Sequence, residues 1–203
     1  HNDEKDLMLI IGINPQKLTE IEKEKLQSDL VKFFTEDDGK CLNVTSLYYE
    51  EMEKHRSGQQ GKFIKHIYGS THVHDFINGL KFQISPSSFF QGNTKAAEKL
   101  YQEIIDFAAI TPSTTVLDVC CGTGTIGLCC SKYSKNVYGM EIIPQAIEDA
   151  KHNAQANEIK NSHFSVGNTD DLIMTMINQA NVNDGENIIA IVDPPRAGLN
   201  TKS

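Results

Sequence analysis

No stretch of this chain is apolar for long enough to cross a membrane, and its first residues, HNDEKD, lack the apolar core of a secretory signal. Cysteines are few and wrongly spaced for a metal or a disulfide framework. The five, at positions 41, 120, 121, 129 and 130, fit neither a zinc ribbon nor a secreted scaffold, and read as small buried thiols of a reducing cytosol or nucleus. His72, His74 and Asp75 are the only hint of a metal, and an H-x-H without further ligand spacing reads as solvated or capping, so no metal is expected. Basic residues are in deficit: 19 against 27 acids leave a net charge of −8. Such a chain is not a self-evident nucleic-acid binder, and any RNA must meet a local basic patch or another part of the protein.

What is present is 203 residues, enough for one large domain or for one domain and a smaller companion. The pattern predicts the second arrangement. Leu7 to Ile13 reads as a strand stopped by Asn14-Pro15, and Leu18, Ile21, Leu26, Leu30 and Phe33 recur at helical spacing among charges. Cys41 to Tyr49, Phe63 to Tyr68 and Leu80 to Ile84 read as three more strands, with a polar loop from Lys54 to Gly61. Together they suggest a small α+β domain with antiparallel pairing over residues 1–84.

From residue 85 to 203 the pattern changes. Asn93 is placed to cap a helix with an apolar stripe of Ala97, Leu100, Tyr101, Ile104, Ile105 and Ala108. After it come strand 116–119, a helix from about Thr125, strand 136–140, a helix with Pro144 in its first turn, strand 162–166, a helix over 170–180 and strand 188–192. Alternation of this kind specifies an α/β fold with a parallel sheet covered by helices on both faces. Ligands of such sheets sit at the carboxyl ends of the strands, where the loop after Val119, Glu141, Asn168 and Asp193 converge.

The stretch VLDVCCGTGTIG, residues 116–127, is the chemical centre of this half. An apolar strand breaks at Gly122 and Gly124 into a helix, so backbone can approach a ligand closely while the first amides of the helix face the same space. Asp118 lies inside the strand, and Glu141 ends the next one, where an acid can accept hydrogen bonds from both hydroxyls of a ribose. The loop alone suits either a nicotinamide dinucleotide or S-adenosylmethionine (SAM). Asp193-Pro194-Pro195-Arg196, a rigid turn at the end of the last strand, has no role in hydride transfer and favours SAM.

Three separated motifs, FFQGN at 89–93, LDVCCGTGTIG at 117–127 and DPPRAG at 193–198, together resemble the RNA uracil-5-methyltransferases, animal tRNA enzymes in particular. The resemblance implies a Rossmann-like SAM-dependent methyltransferase sheet, preceded by a central α+β domain. It implies that Gln91 binds the methionine end of SAM, that Cys120 and Thr125 line the cofactor loop with Gly122 and Gly124, and that Glu141 holds the ribose. Asn168 then faces the adenine, Asp193 lies between cofactor and target base, and Phe89 packs against a flipped-out uracil.

The chemistry implied is covalent. Uracil C5 is a poor nucleophile until a cysteine thiolate adds to C6; C5 then attacks the SAM methyl, a base removes the C5 proton and the thiolate leaves. In the family the nucleophilic cysteine and the basic glutamate both follow DPPRAG, whereas this chain ends at Ser203 and its cysteines match neither position. The expectation is therefore a fragment with a sheet truncated at its carboxyl end, monomeric, holding the cofactor half of a site whose partner in the full-length protein is tRNA. Three other readings compete. An NAD(P) oxidoreductase uses the same loop but not the DPP turn; a methyltransferase of amino groups places an aromatic where Arg196 stands; a non-catalytic RNA-binding module has no need of Gly122, Gly124 and Glu141.

Overall fold

The computed structural model describes residues 6–15, 17–54, 60–86, 88–180, 186–194 and 198, and the chain divides into two compact units, residues 1–73 and 74–203. The first contains strand β1 (Met8–Ile13), helix α1 (Glu20–Thr35), a short 3-10 turn (Asp38–Leu42), and strands β2 (Ser46–Lys54) and β3 (Gln60–Gly69). Thr19 and Glu22 close a capping box on α1, the Thr19 hydroxyl accepting from the Glu22 amide at 3.3 Å and Glu22 Oε2 accepting from the Thr19 amide at 2.8 Å.

This sheet departs from the all-antiparallel expectation. β1 and β2 pair in parallel and only β2 and β3 are antiparallel. The 16-residue α1 carries the chain back to its starting edge, which a parallel neighbour requires. The apolar residues of α1 are only partly covered: no residue of the helix is buried, and Ile21 is 78% exposed. The strand read from Cys41 begins only at Ser46, because the 3-10 turn takes up the residues before it.

The second unit begins with a hairpin of which the sequence predicts only the second strand. Strands β4 (Val73–Ile77) and β5 (Leu80–Ile84) pair with each other across Asn78 and Gly79, both at positive φ, 51° and 77°. His74 and Asp75 therefore stand on a strand. The two compact units divide between Val73 and His74. Ile77 and Phe82 are fully buried in the core of the second unit, and Asn157 bonds both the amide and the carbonyl of Lys81, at 2.9 and 2.7 Å.

The remaining elements follow the predicted order: α2 (Thr94–Phe107), β6 (Thr114–Val119), α3 (Thr125–Ser131), β7 (Asn136–Glu141), α4 (Pro144–Ala156), β8 (Ser162–Val166), α5 (Thr169–Ala180) and β9 (Asn187–Val192). The four strands form a parallel sheet in the order β8-β7-β6-β9, a Rossmann-like arrangement. Because side chains alternate across a strand, one face buries Val116 and Val137 with Tyr101, Ile105, Leu128 and Ile147, while the other buries Leu117, Val119, Tyr138 and Met140 with Met176 and Ala180. Helices thus cover both faces. Every residue of β6 is buried, which fixes the strand that carries the glycine loop.

Candidate functional site

The turn leaving β6 is built from three residues at positive φ: Cys120 at 62°, Gly122 at 54° and Gly124 at 78°. The two glycines have different work. A Cβ at Gly122 would meet no described atom within 4 Å, so this position leaves open space above the loop. A Cβ at Gly124 would stand 2.9 Å from Phe164 Cζ and 3.2 Å from Ala150, and one at Gly127 would meet Asp118 Oδ2 and Val137 at 2.8 Å. Gly124 and Gly127 therefore let α3 seat against the sheet, and Gly122 leaves the space above the loop free of side chain. Gly124→Ala should lower stability by about 2–4 kcal/mol, from the left-handed backbone and the overpacking together, read as a reduced urea midpoint.

Three carboxylates meet at the carboxyl ends of the strands. Asp118 is fully buried; its Oδ2 accepts from the Gly127 amide at 2.8 Å, and Oδ1 has no hydrogen-bond partner among the described residues. Burial holds its pKa up at about 7 against the Gly127 bond, with Asp193 and Glu141 adding repulsion. Glu141 is fixed by backbone: Oε1 accepts from the amides of Ile142 and Ile143 at 2.8 and 3.1 Å, and Oε2 from Gly122 at 3.3 Å. The Asp193 amide reaches the carbonyl of Val119 at 3.3 Å, and Gly167 bonds the carbonyl of Glu141 at 2.9 Å, so the ends of all four strands are laced together. Asp193 and Asn168 are exposed there, and Asn168 directly precedes α5, its carbonyl accepting from Leu172 at 3.1 Å. Pro195 and Arg196 of the DPPR turn lie outside the described residues.

The residues leading into FFQGN are held by helix α4. Asp149 is buried and receives the hydroxyls of Ser85 and Ser88 at 2.9 and 2.7 Å; one turn on, Asn153 accepts from the Gln83 amide at 2.7 Å and donates to the carbonyl of Thr123 in the glycine loop at 3.2 Å. The two phenylalanines then separate. Phe90 packs on Phe82 with ring centroids 5.9 Å apart, whereas Phe89 is 74% exposed. Asn93 caps α2 through the Ala96 amide at 3.0 Å, as its position predicts.

Four residues important to this geometry were not singled out as site residues in the sequence. Asp149 and Asn153 look like a solvated helix face until their partners, 30 to 70 positions away, are known. Tyr101 looks like core, yet its hydroxyl lies 3.2 Å from Thr125 Oγ1. Ile142 follows Glu141 and is 67% exposed, an apolar surface beside the acid. The thiols are unreactive in character: burial pushes Cys121, Cys129 and Cys130 well up, the last two to about 12, and burial with the nearby carboxylates raises Cys120. Cys41 lies in the first unit, its thiol donating to the Asp38 carbonyl at 3.1 Å. A cleft lined by Lys151, Gln155, Lys160 and Phe164 lies where α4 ends and β8 begins, at the amino end of that strand, whereas these groups stand at the carboxyl ends of the parallel strands.

Residues 110–190 match a methyltransferase domain. The chain is 43% identical over 196 residues to human tRNA (uracil-5-)-methyltransferase homolog A, covering 96% of this chain and 31% of that protein. It is 38% identical over 192 residues to the homolog B protein of Danio rerio, covering 95% and 40%. The chain therefore spans only about a third of the length of the first of these relatives. Among solved structures it is similar to a Pyrococcus abyssi tRNA (uracil-54, C5)-methyltransferase in complex with S-adenosyl-L-homocysteine, with a TM-score of 0.65, 22% identity, and coverage of 98% of this chain and 42% of that one. At that identity the likeness establishes the fold.

Proposed function

We propose that this chain, 43% identical over 196 residues to a tRNA (uracil-5-)-methyltransferase homolog and carrying a methyltransferase domain, supplies the SAM-binding half of an enzyme that methylates C5 of uridine in tRNA. The observation that carries the reading is the convergence of an open glycine turn at Gly122 with a carboxylate, Glu141, locked by three backbone amides. Locking costs the acid its freedom to turn away and leaves its remaining acceptor capacity for a ribose diol. The exposed face of Ile142 suits one side of an adenine, and Asn168 its polar edge. The buried, unpartnered Oδ1 of Asp118, with Glu141 and Asp193 near it, makes the site negative, which suits a cofactor carrying a sulfonium.

SAM, when bound, supplies an electrophilic methyl group. The chain's own residues hold and orient: Gln91, Cys120 and Thr125 at the methionine end, Glu141 at the ribose, Asp193 toward the edge of the target base, and exposed Phe89 as a flat apolar face for a uracil taken out of its stack. The four cysteines around the glycine loop are ill suited to be the thiolate that must add to C6, because burial raises the pKa of each.

Labelled methyl transfer to tRNA tests this reading. A protein of the relatives' full length carrying these residues should methylate uridine at C5, and Asp193→Ala within it should lower the rate by about a hundredfold or more. The 203 residues alone should transfer no label above background, since C5 never gains enolate character. Transfer by the isolated chain at a rate near that of the longer protein would contradict the assignment of roles.

A further inference from the structure

Helix α2 buries Ala97, Tyr101 and Ile105 on one face, and packing alone asks only for an apolar ring at the middle position. Tyr101 is 1% exposed, and a phenol buried to that extent needs a partner for its hydroxyl. The oxygen lies 3.2 Å from Thr125 Oγ1, at the first residue of α3, and the Gln91 side chain is near enough to the same hydroxyl to pull its pKa down against the larger upward push of burial. Thr125 and Gln91 come from segments 34 positions apart in the chain, the glycine loop and the FFQGN turn. Both are only half-buried, so they form a surface with the phenol hydroxyl just beneath it.

We propose that Tyr101 is a positioning residue for the cofactor, its hydroxyl joining Gln91 and Thr125 into one hydrogen-bonded chain that presents both to the methionine end of SAM. The proposal rests on the SAM reading given above. A side-chain amide on a surface turn has several rotamers to lose on binding; tethered to a rigid buried ring, it has lost them beforehand. The ring is rigid because it is packed among Ile126, Cys129 and the other core residues of that face. Burial also pushes the Tyr101 pKa up, so the hydroxyl keeps its proton through the neutral range and can donate to one partner while accepting from the other.

Calorimetric titration of the 203-residue chain with two ligands tests this. S-adenosylhomocysteine carries the amino-acid end; 5′-methylthioadenosine keeps the adenosine and the thioether but lacks it. Tyr101→Phe, which preserves the packing, should weaken S-adenosylhomocysteine by about tenfold and leave methylthioadenosine within about twofold. In a Gln91→Ala background the same change should add little, because the chain of bonds is already cut. Unchanged affinity of Tyr101→Phe for S-adenosylhomocysteine would overturn the proposal, and so would equal losses for both ligands, which mark a general loosening of the fold. Failure of the parent chain to bind either ligand would overturn the SAM reading and this inference with it.

Discussion

Asp118→Asn should flatten the pH dependence of stability between about pH 4 and pH 7. The cause is the raised pKa of the buried acid: about 7 in the folded protein against 3.8 ordinarily, with burial as the main contribution, opposed by the Gly127 amide and reinforced by Asp193 and Glu141. The sign follows from proton counting. Between the two values the folded protein keeps the proton and the unfolded chain has released it, so stability falls as pH rises through that window and levels off above about 7. A difference of roughly three units corresponds to at most about 4 kcal/mol. Asparagine keeps an acceptor for Gly127 and carries no charge, so urea unfolding of the variant should show a much smaller slope across the window and a gain over the parent at pH 8. Survival of the full slope in Asp118→Asn would place its origin elsewhere. The same burial that destabilises the empty protein serves the site, because a cationic cofactor offsets the crowding of Asp118, Glu141 and Asp193; SAM affinity should accordingly rise with pH through neutrality.

Glu141→Ala should weaken S-adenosylhomocysteine by about thirtyfold or more. Two charge-assisted hydrogen bonds to a ribose are worth on the order of 2–4 kcal/mol together, and alanine also frees the amides of Gly122, Ile142 and Ile143 from the carboxylate that organises them. The loss therefore combines contact and pre-organisation. Titration calorimetry on both proteins, with circular dichroism to establish that the variant is folded, reads the effect. Equal affinities would remove Glu141 from the cofactor site.

The parallel sheet and the glycine loop were legible in the chain because each rests on local chemistry: apolar runs of strand length, helical stripes between them, and glycines where the backbone turns at positive φ. The order of elements from α2 to β9 follows those signals closely. Of the β4–β5 hairpin only Leu80–Ile84 was read, although Asn78-Gly79 is a turn signal, because the first strand, VHDFI, alternates weakly, contains His74 and follows His72. The parallel pairing of β1 with β2 was missed because strand direction depends on where α1 carries the chain, which local periodicity does not report.

The site divides in the same way. Glu141 and Asp193 could be placed from strand ends alone, and the structure brings both beside Asp118. The groups that hold the residues leading into FFQGN could not, because Asp149 and Asn153 find their partners across 30 to 70 positions and have the composition of a solvated helix face. The double role of the glycines also emerges only in three dimensions, since Phe164, which makes Gly124 a packing residue, lies on β8.

The central claim, that the turn from Val119 to Thr125 and the acid at 141 form a SAM site, is tested most directly by titrating the 203-residue chain in parallel with SAM, S-adenosylhomocysteine and NADH. The account predicts saturable one-to-one binding of SAM and S-adenosylhomocysteine and no heat from NADH. Binding of NADH with none of either adenosyl ligand would contradict it.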